Sequence, residues 1–277
     1  MKLFKHLIIL TWALVAHAQL SAQEVELAER LLQSYLDNQP FPLISLIQPD
    51  LSVEQAYSVQ RHYVKGRLAN EKLVGFKAGL TSEPAQKKFN VSQPVVGVLF
   101  ANGDLSSRQS SVKLSQFKNL MLETELGFEI GQAITDLVSD KKQIKQYIKS
   151  IFPLIELPEL SFVSPPTGID IIAANVGAAA FIKGQPVDNL AHLNLNALGV
   201  TLTREGEPVN VGQGRDALGD QWEAVWWLVN TLVKLGWKLE PGQFVITGAM
   251  GKMIKAEPGN YQADFGELGN LSFTITP

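Results

Sequence analysis

Glu123 and Glu125 stand two residues apart in the apolar run Met121-Leu122-Glu123-Thr124-Glu125-Leu126-Gly127-Phe128. Side chains alternate along a strand, so the two carboxylates share one face and Leu122, Thr124 and Leu126 share the other. If that face turns inward it requires a cation or a proton, because buried unpaired charge is costly. Carboxylates held side by side on a rigid strand suit a hard divalent ion, which takes oxygen ligands. The plainer reading is an edge strand with its glutamates in water, where glutamate is usually found. A third carboxylate, Glu156, lies in Phe152-Pro153-Leu154-Ile155-Glu156-Leu157-Pro158-Glu159. Its apolar neighbours point to burial, whereas Glu159, beyond Pro158, is expected in water. Three carboxylates and a few waters make an octahedral magnesium or manganese site. The prolines on either side predict an edge strand or a strand end.

Two further stretches carry groups capable of chemistry. Lys77 lies in Leu73-Val74-Gly75-Phe76-Lys77-Ala78-Gly79-Leu80-Thr81-Ser82, which reads as a strand ending in a turn. An apolar setting desolvates an ammonium group and lowers its pKa, bringing proton transfer toward neutral pH. The alternative is a stem laid along apolar surface with its head in water. Phe244-Val245-Ile246 leads into Thr247-Gly248-Ala249-Met250-Gly251, and a Thr-Gly turn at a strand end offers a hydroxyl and backbone N–H groups to an oxyanion. There is no Walker loop, dinucleotide fingerprint, nucleophile elbow or internal repeat.

The 277 residues are 45% hydrophobic, carry a formal charge of −3 and include no cysteine. This balance describes a globular chain with no electrostatic footprint for nucleic acid. Residues 1–22 read as a secretory signal: a basic start to His6, an apolar run from Leu7 to Val15, and small-residue cleavage sites after Ala18 or Ala22. Export to the periplasm or medium is expected, with no stable membrane insertion after cleavage, since the run is short for a bilayer span. Of the four histidines, His6 and His17 leave with this segment. His62 and His192 are too few for a His-rich zinc site.

Helical spacing from Glu24 to Asp37 and a capping box at Ser52-Val53-Glu54-Gln55 predict a helical region over 23–70. Residues 71–277 then form the catalytic domain, with short apolar runs broken by glycine. Within it, a helix is expected over Lys141–Ile151, a hairpin turn at Arg204-Glu205-Gly206-Glu207, and a capped helix from Asp220 to Gly236.

In their order and spacing, these stretches from about Leu51 onward resemble the 2-oxopent-4-enoate hydratase branch of the fumarylacetoacetate hydrolase superfamily, which also contains 4-oxalocrotonate decarboxylase. The resemblance implies an α+β fold, with a mixed, β-rich core behind a helical N-terminal region. It implies Mg2+ (or Mn2+) held by Glu123, Glu125 and Glu156, a site lysine at Lys77, substrate contacts at Thr247 and Gly248, and a homo-oligomer. The implied activity is that of a lyase adding water to a small 2-hydroxy-2,4-dienoate or 2-oxo-enoate, as in aromatic catabolism, through an enolate whose C2 oxygen the ion stabilises. Decarboxylation of a 2-oxo-enedioate would use the same enolate, and a carboxylate-binding protein without turnover is the reading from another class. The chain departs from the family pattern where Val95 replaces an acid and where Ala174-Asn175-Val176-Gly177 replaces Asp-Asn-Ala-Ser. Both changes remove polar groups near the expected pocket.

Overall fold

The computed structural model describes residues 22–106, 111–188 and 193–277. The signal expected at 1–22 therefore lies outside the described residues, except for Ala22, and so does His192. Among the described residues no helix is long and apolar enough to cross a membrane. The chain divides into two compact units, one reaching to Ala69 and taking in Phe162–Ala174, the other formed by Asn70–Ser161 and Asn175–Pro277.

The first unit is helical. A helix over 22–36, a short one at Ile44–Ile47, a long one at Val53–Arg67 and the returning segment Gly168–Ala173 bury Leu27, Leu31, Ala56, Val59, Tyr63, Ile171 and Ile172 together. The capping box read from the sequence is present: Gln55 N donates to Ser52 Oγ at 3.2 Å, and Ser52 N donates back to Gln55 Oε1 at 3.0 Å. The return of Gly168–Ala173 to this unit was not expected. The segment is too short to show a helical period, and it is held by Asp170, whose carboxylate accepts from Ser45 N and Oγ and from Thr167 N and Oγ1.

The second unit is built on two mixed sheets, as the α+β expectation required. Its strands are β1 (Leu73–Gly79), β2 (Val95–Phe100), β3 (Ser111–Lys113), β4 (Met121–Ile130), β5 (Ile148–Leu157) and β6 (Ala180–Lys183). They continue with β7 (Gly199–Arg204), β8 (Glu207–Gln213), β9 (Phe244–Ile246), β10 (Ile254–Lys255), β11 (Gly259–Asp264) and β12 (Asn270–Thr276). The larger sheet runs β2-β1-β9-β4-β5-β6 with β10 also on β4, and the smaller one runs β3-β12-β11-β7-β8. β9 lies parallel to β1 and antiparallel to β4. Helix Gln221–Lys234, capped by Asp220, is followed by Trp237, whose ring meets Phe76, and its own Trp222 meets Phe128. The hairpin turn is observed, with Glu205 and Gly206 both at positive φ as a tight primed turn requires.

Two expectations are corrected here. The helix at Lys141 ends at Tyr147, because the apolar residues from Ile148 onward pair as β5. Of the two placements expected for the proline-flanked segment, the strand end is observed, β5 stopping at Leu157 just before Pro158, while the edge is not, since β5 lies between β4 and β6. Pro153 is tolerated because its nitrogen faces the β6 side just where that ladder ends: its carbonyl accepts from Gly184 N at 2.8 Å, one residue past Lys183.

Candidate active site

Antiparallel pairing of β4 with β5 sets Glu123 opposite Glu156 and Glu125 opposite Leu154. All three glutamates therefore lie on one face of the larger sheet. Like charges directly opposite one another repel, so this register demands a compensating cation. Lys77 on β1 supplies part of it: its Nζ donates to Glu156 Oε1 in a buried ion pair. Lys77 is opposite Gly97 on β2 and Ile246 on β9, and Ile246 is in turn opposite Gly127. The glycines in this row make room. A Cβ on Gly127 would stand 2.2 Å from the Phe152 ring, which lies beside the cluster with Leu154, Phe181, Phe244 and Ile246.

One carboxylate oxygen from each of Glu123, Glu125 and Glu156 falls within 4.8 Å of the others. Glu125 and Glu156 are fully buried, and Glu125 Oε1 and Glu156 Oε2 have no hydrogen-bond partner. Buried carboxylate oxygens without donors are rare, because each forfeits its hydration. Converging oxygens of this kind match the donor set of a hard divalent cation, and the three glutamates are the residues that would hold it.

The electrostatics follow from burial and crowding. Burial first, then the Glu156 charge, pushes the Glu123 carboxyl up to about 8, with Lys77 acting in the opposite sense. Glu125 is raised well above its ordinary value by burial, Glu156 and Glu123, against the pull of Lys77 and of the Gly248 N–H. For Lys77, burial by itself would depress the pKa. The charges of Glu156, Glu123 and Glu125 more than reverse this, and the pKa is raised above 10.5. The reading that lays the stem along apolar surface with its head in water is corrected: Lys77 is 2% exposed, and its ammonium meets carboxylates brought in from other strands. Lys77 is a retained cation.

Thr247 and Gly248 take supporting positions. Gly248 N donates to Glu125 Oε2 at 2.7 Å, fixing that carboxylate. The Thr247 hydroxyl donates to Gln221 Oε1 at 2.6 Å, and Gln221 Nε2 donates to Gly214 O at 2.7 Å. Both donors expected to face an oxyanion thus have acceptors inside the protein. On the opposite face of β4, Thr124 Oγ1 donates to Met250 O at 2.7 Å while Met250 N donates to Thr124 O, so the 247–251 turn is tied to the carboxylate strand. Gln221 was read only as the start of a helix, and nothing in its local pattern signals this second task. Gly127 could have been found, since an isolated glycine inside a strand marks a close approach.

Some of the backbone strain lies close to the site residues. Leu80 follows β1 at φ 53°, and Asn175, Val176 and Gly177 form a left-handed turn with φ of 61°, 56° and 64°. That conformation costs about 1–2 kcal/mol per non-glycine residue, and a β-branched valine is among its least suitable occupants. Asn175 holds the turn in place: its Oδ1 accepts from Val98 N at 2.7 Å and its Nδ2 donates to Val98 O at 2.9 Å.

Comparison with known proteins agrees with this geometry. No protein-family model matches the chain. It is 32% identical over 230 residues to a 2-keto-4-pentenoate hydratase of Burkholderia vietnamiensis, covering 80% of this chain and 85% of that one. Identity is 30% over 254 residues with the 2-keto-4-pentenoate hydratase of Paraburkholderia phymatum, covering 88% and 94% respectively. A 4-oxalocrotonate decarboxylase of a Pseudomonas species is 27% identical over 240 residues, covering 86% and 90%. In fold, the chain superimposes on 4-oxalocrotonate decarboxylase from Pseudomonas putida G7, complexed with magnesium and adipate, with a TM-score of 0.86, 24% identity and coverage of 92% and 98%. Identity and coverage show that the chain belongs to the 2-keto-4-pentenoate hydratase family, with the fold also found in 4-oxalocrotonate decarboxylase.

Proposed function

We propose that the chain is a hydratase, a carbon–oxygen lyase that adds water to a small 2-hydroxy-2,4-dienoate or its 2-oxo-enoate tautomer. The observation that carries this reading is the converging trio Glu123, Glu125 and Glu156, the last two fully buried with one oxygen each lacking a donor, in a chain of this family. A divalent ion there, Mg2+ or Mn2+, would supply Lewis acidity toward negative charge on the substrate's C2 oxygen.

The chain's own residues have distinct tasks. Ketonisation removes the C2 hydroxyl proton and places a proton on C5; water then adds its oxygen at C4 and a proton at C3. Lys77, buried with its Nζ on Glu156 Oε1, is the fixed cation beside the three carboxylates. Gly248 N keeps Glu125 aligned, and the Thr247–Gln221–Gly214 chain of hydrogen bonds fixes the turn that carries Gly248. Burial among Phe152, Leu154 and Phe181 excludes bulk water and strengthens every charge interaction within.

The test is the loss of dienol absorbance from 2-hydroxypenta-2,4-dienoate with purified protein and Mg2+, abolished by EDTA. Release of carbon dioxide from a 2-oxo-enedioate, with no hydration of the dienoate, would instead select the decarboxylase. We further propose export of the mature protein, on the basic start and apolar run of residues 1–22, and assembly as a homo-oligomer. N-terminal sequencing of protein from cell fractions and sedimentation measure these two points.

A further inference from the structure

The turn that carries Gly248 is gripped from the smaller sheet. β8 is an edge strand of that sheet, and its Asn210 is buried. Asn210 Oδ1 accepts from Lys252 N at 3.0 Å, while its Nδ2 donates to Met250 O at 3.3 Å and lies 3.5 Å from Thr124 Oγ1. Thr124 separates the two glutamates on β4, and its hydroxyl donates to the same Met250 carbonyl. One planar carboxamide thus links the two sheets, and it presents an acceptor and a donor that neither aspartate nor an apolar residue of this size supplies together. Glycines let strand and turn come this close. A Cβ on Gly212, on the same face of β8 as Asn210, would stand 2.2 Å from Met250 C, and one on Gly251, at φ 89°, would stand 2.8 Å from Asn210 Oδ1. Asp216 adds to the hold, its Oδ2 accepting from Gly251 N at 2.9 Å. Met250 N, Gly251 N and Lys252 N are all bound in this way, and Gly248 N reaches Glu125 Oε2.

We propose that Asn210 is a positioning residue: through Met250 and Lys252 it sets the 248–252 turn against β4, and so keeps Gly248 N on Glu125 and Glu125 aligned with Glu123 and Glu156. Thr124, donating to the same carbonyl, is the other half of the clamp. Glu125 Oε1 has no donor of its own, so the aim of this carboxylate is decided at Oε2, where Gly248 holds it. Loosening the turn frees the carboxylate to swing, and hydrogen-bond partners of ligand carboxylates govern metal affinity in this way. The inference rests on the reading of the three glutamates as metal ligands, and its test separates the two.

Asn230 supplies a matched control. It is also buried in this unit, and its carboxamide also binds backbone at both ends, accepting from Val138 N at 2.8 Å and donating to Val138 O at 2.9 Å, with neither bond on β4 or the turn. Asn210→Ala and Asn230→Ala are compared in the full chain by two measurements. Amide hydrogen exchange of metal-free protein, read by mass spectrometry on a peptide spanning residues 247–253, is expected to quicken by about 10-fold in Asn210→Ala, as for loss of about one hydrogen bond's hold. In Asn230→Ala it should stay within about 2-fold of the wild type, the site being independent. Mg2+ affinity, by calorimetry, is expected to fall by about 10-fold in Asn210→Ala alone. Thr124→Val keeps the shape of the strand but takes the hydroxyl from the Met250 carbonyl, and should weaken Mg2+ binding by about 3-fold; it decides the matter if Asn210→Ala fails to fold. Unchanged exchange in folded Asn210→Ala, equal losses in Asn230→Ala, or faster exchange with Mg2+ affinity intact overturns the assignment. A wild type that takes up no Mg2+ overturns the metal reading, and the exchange data still decide the clamp.

Discussion

Two buried carboxylate sites, one in each unit, show how differently a fold treats the same functional group. Asp170 in the helical unit is 1% exposed, and its two oxygens accept four hydrogen bonds, from Ser45 and Thr167. It fastens two backbone segments together, with a donor on each oxygen. Glu125 and Glu156 in the sheet unit are equally buried, yet each keeps one oxygen with no donor, and they crowd a third anion. The first arrangement stabilises by giving each carboxylate oxygen at least one donor. The second gives up stability, and such an outlay persists where the unsatisfied atoms serve a ligand.

This contrast makes opposite predictions for similar substitutions. Glu125→Gln removes one of three converging anions, and turnover is expected to fall by at least about 100-fold, with loss of Mg2+-induced stabilisation in a thermal melt. In the absence of metal the same variant should melt no lower than the wild type, because repulsion is relieved. A large drop in metal-free stability would mean that Glu125 is structural after all. Asp170→Ala orphans backbone and hydroxyl donors and should cost roughly 2–3 kcal/mol in chemical denaturation. Turnover by the folded fraction should be largely preserved.

The pH dependence sharpens the comparison further. Glu123 titrates at about 8 in the folded protein against an ordinary 4.5, and Glu125 is raised as well. A carboxyl raised on folding contributes stability that is full below its unfolded pKa and is lost as pH climbs through the folded value. Metal-free protein should therefore weaken from about pH 5 to 8, by up to about 1.4 kcal/mol per pH unit for each such group. Mg2+ should flatten that slope, and denaturation at several pH values with Mg2+ or EDTA measures it; equal slopes would count against a shared ion. The smallest effect is expected for Gln221→Leu, which leaves the Thr247 hydroxyl without its acceptor. About 1 kcal/mol of stability should be lost, with a modest fall in Mg2+ affinity as Gly248 loosens its hold on Glu125.

The sequence exposed what repeats locally. Alternation in Met121–Phe128 showed which side chains share a face, and the Ser52 and Asp220 caps marked where helices begin. What stayed hidden depends on partners distant in the chain. The environment of Lys77 was misjudged because its counter-ions come from β4 and β5, and the site of Pro153 because the end of the neighbouring ladder cannot be seen from residues 152–158. The work of Thr247 and Gly248 was likewise invisible locally, since their acceptors, Gln221 and Glu125, are 26 and 123 residues away. The strained Val176 gave no sign either, because positive φ at valine runs against every local preference.

The three-residue strand β9 has a consequence for how the protein is born. It separates β1 from β4 in the larger sheet, so the earlier-synthesised hairpins β1–β2 and β4–β5 have no edge in common until residues 244–246 slide between them. Lysine and glutamates are brought into one constellation only by this late keystone. The three carboxylates, paired across β4 and β5, can be assembled before the lysine that neutralises one of them, and its arrival is governed by long-range closure.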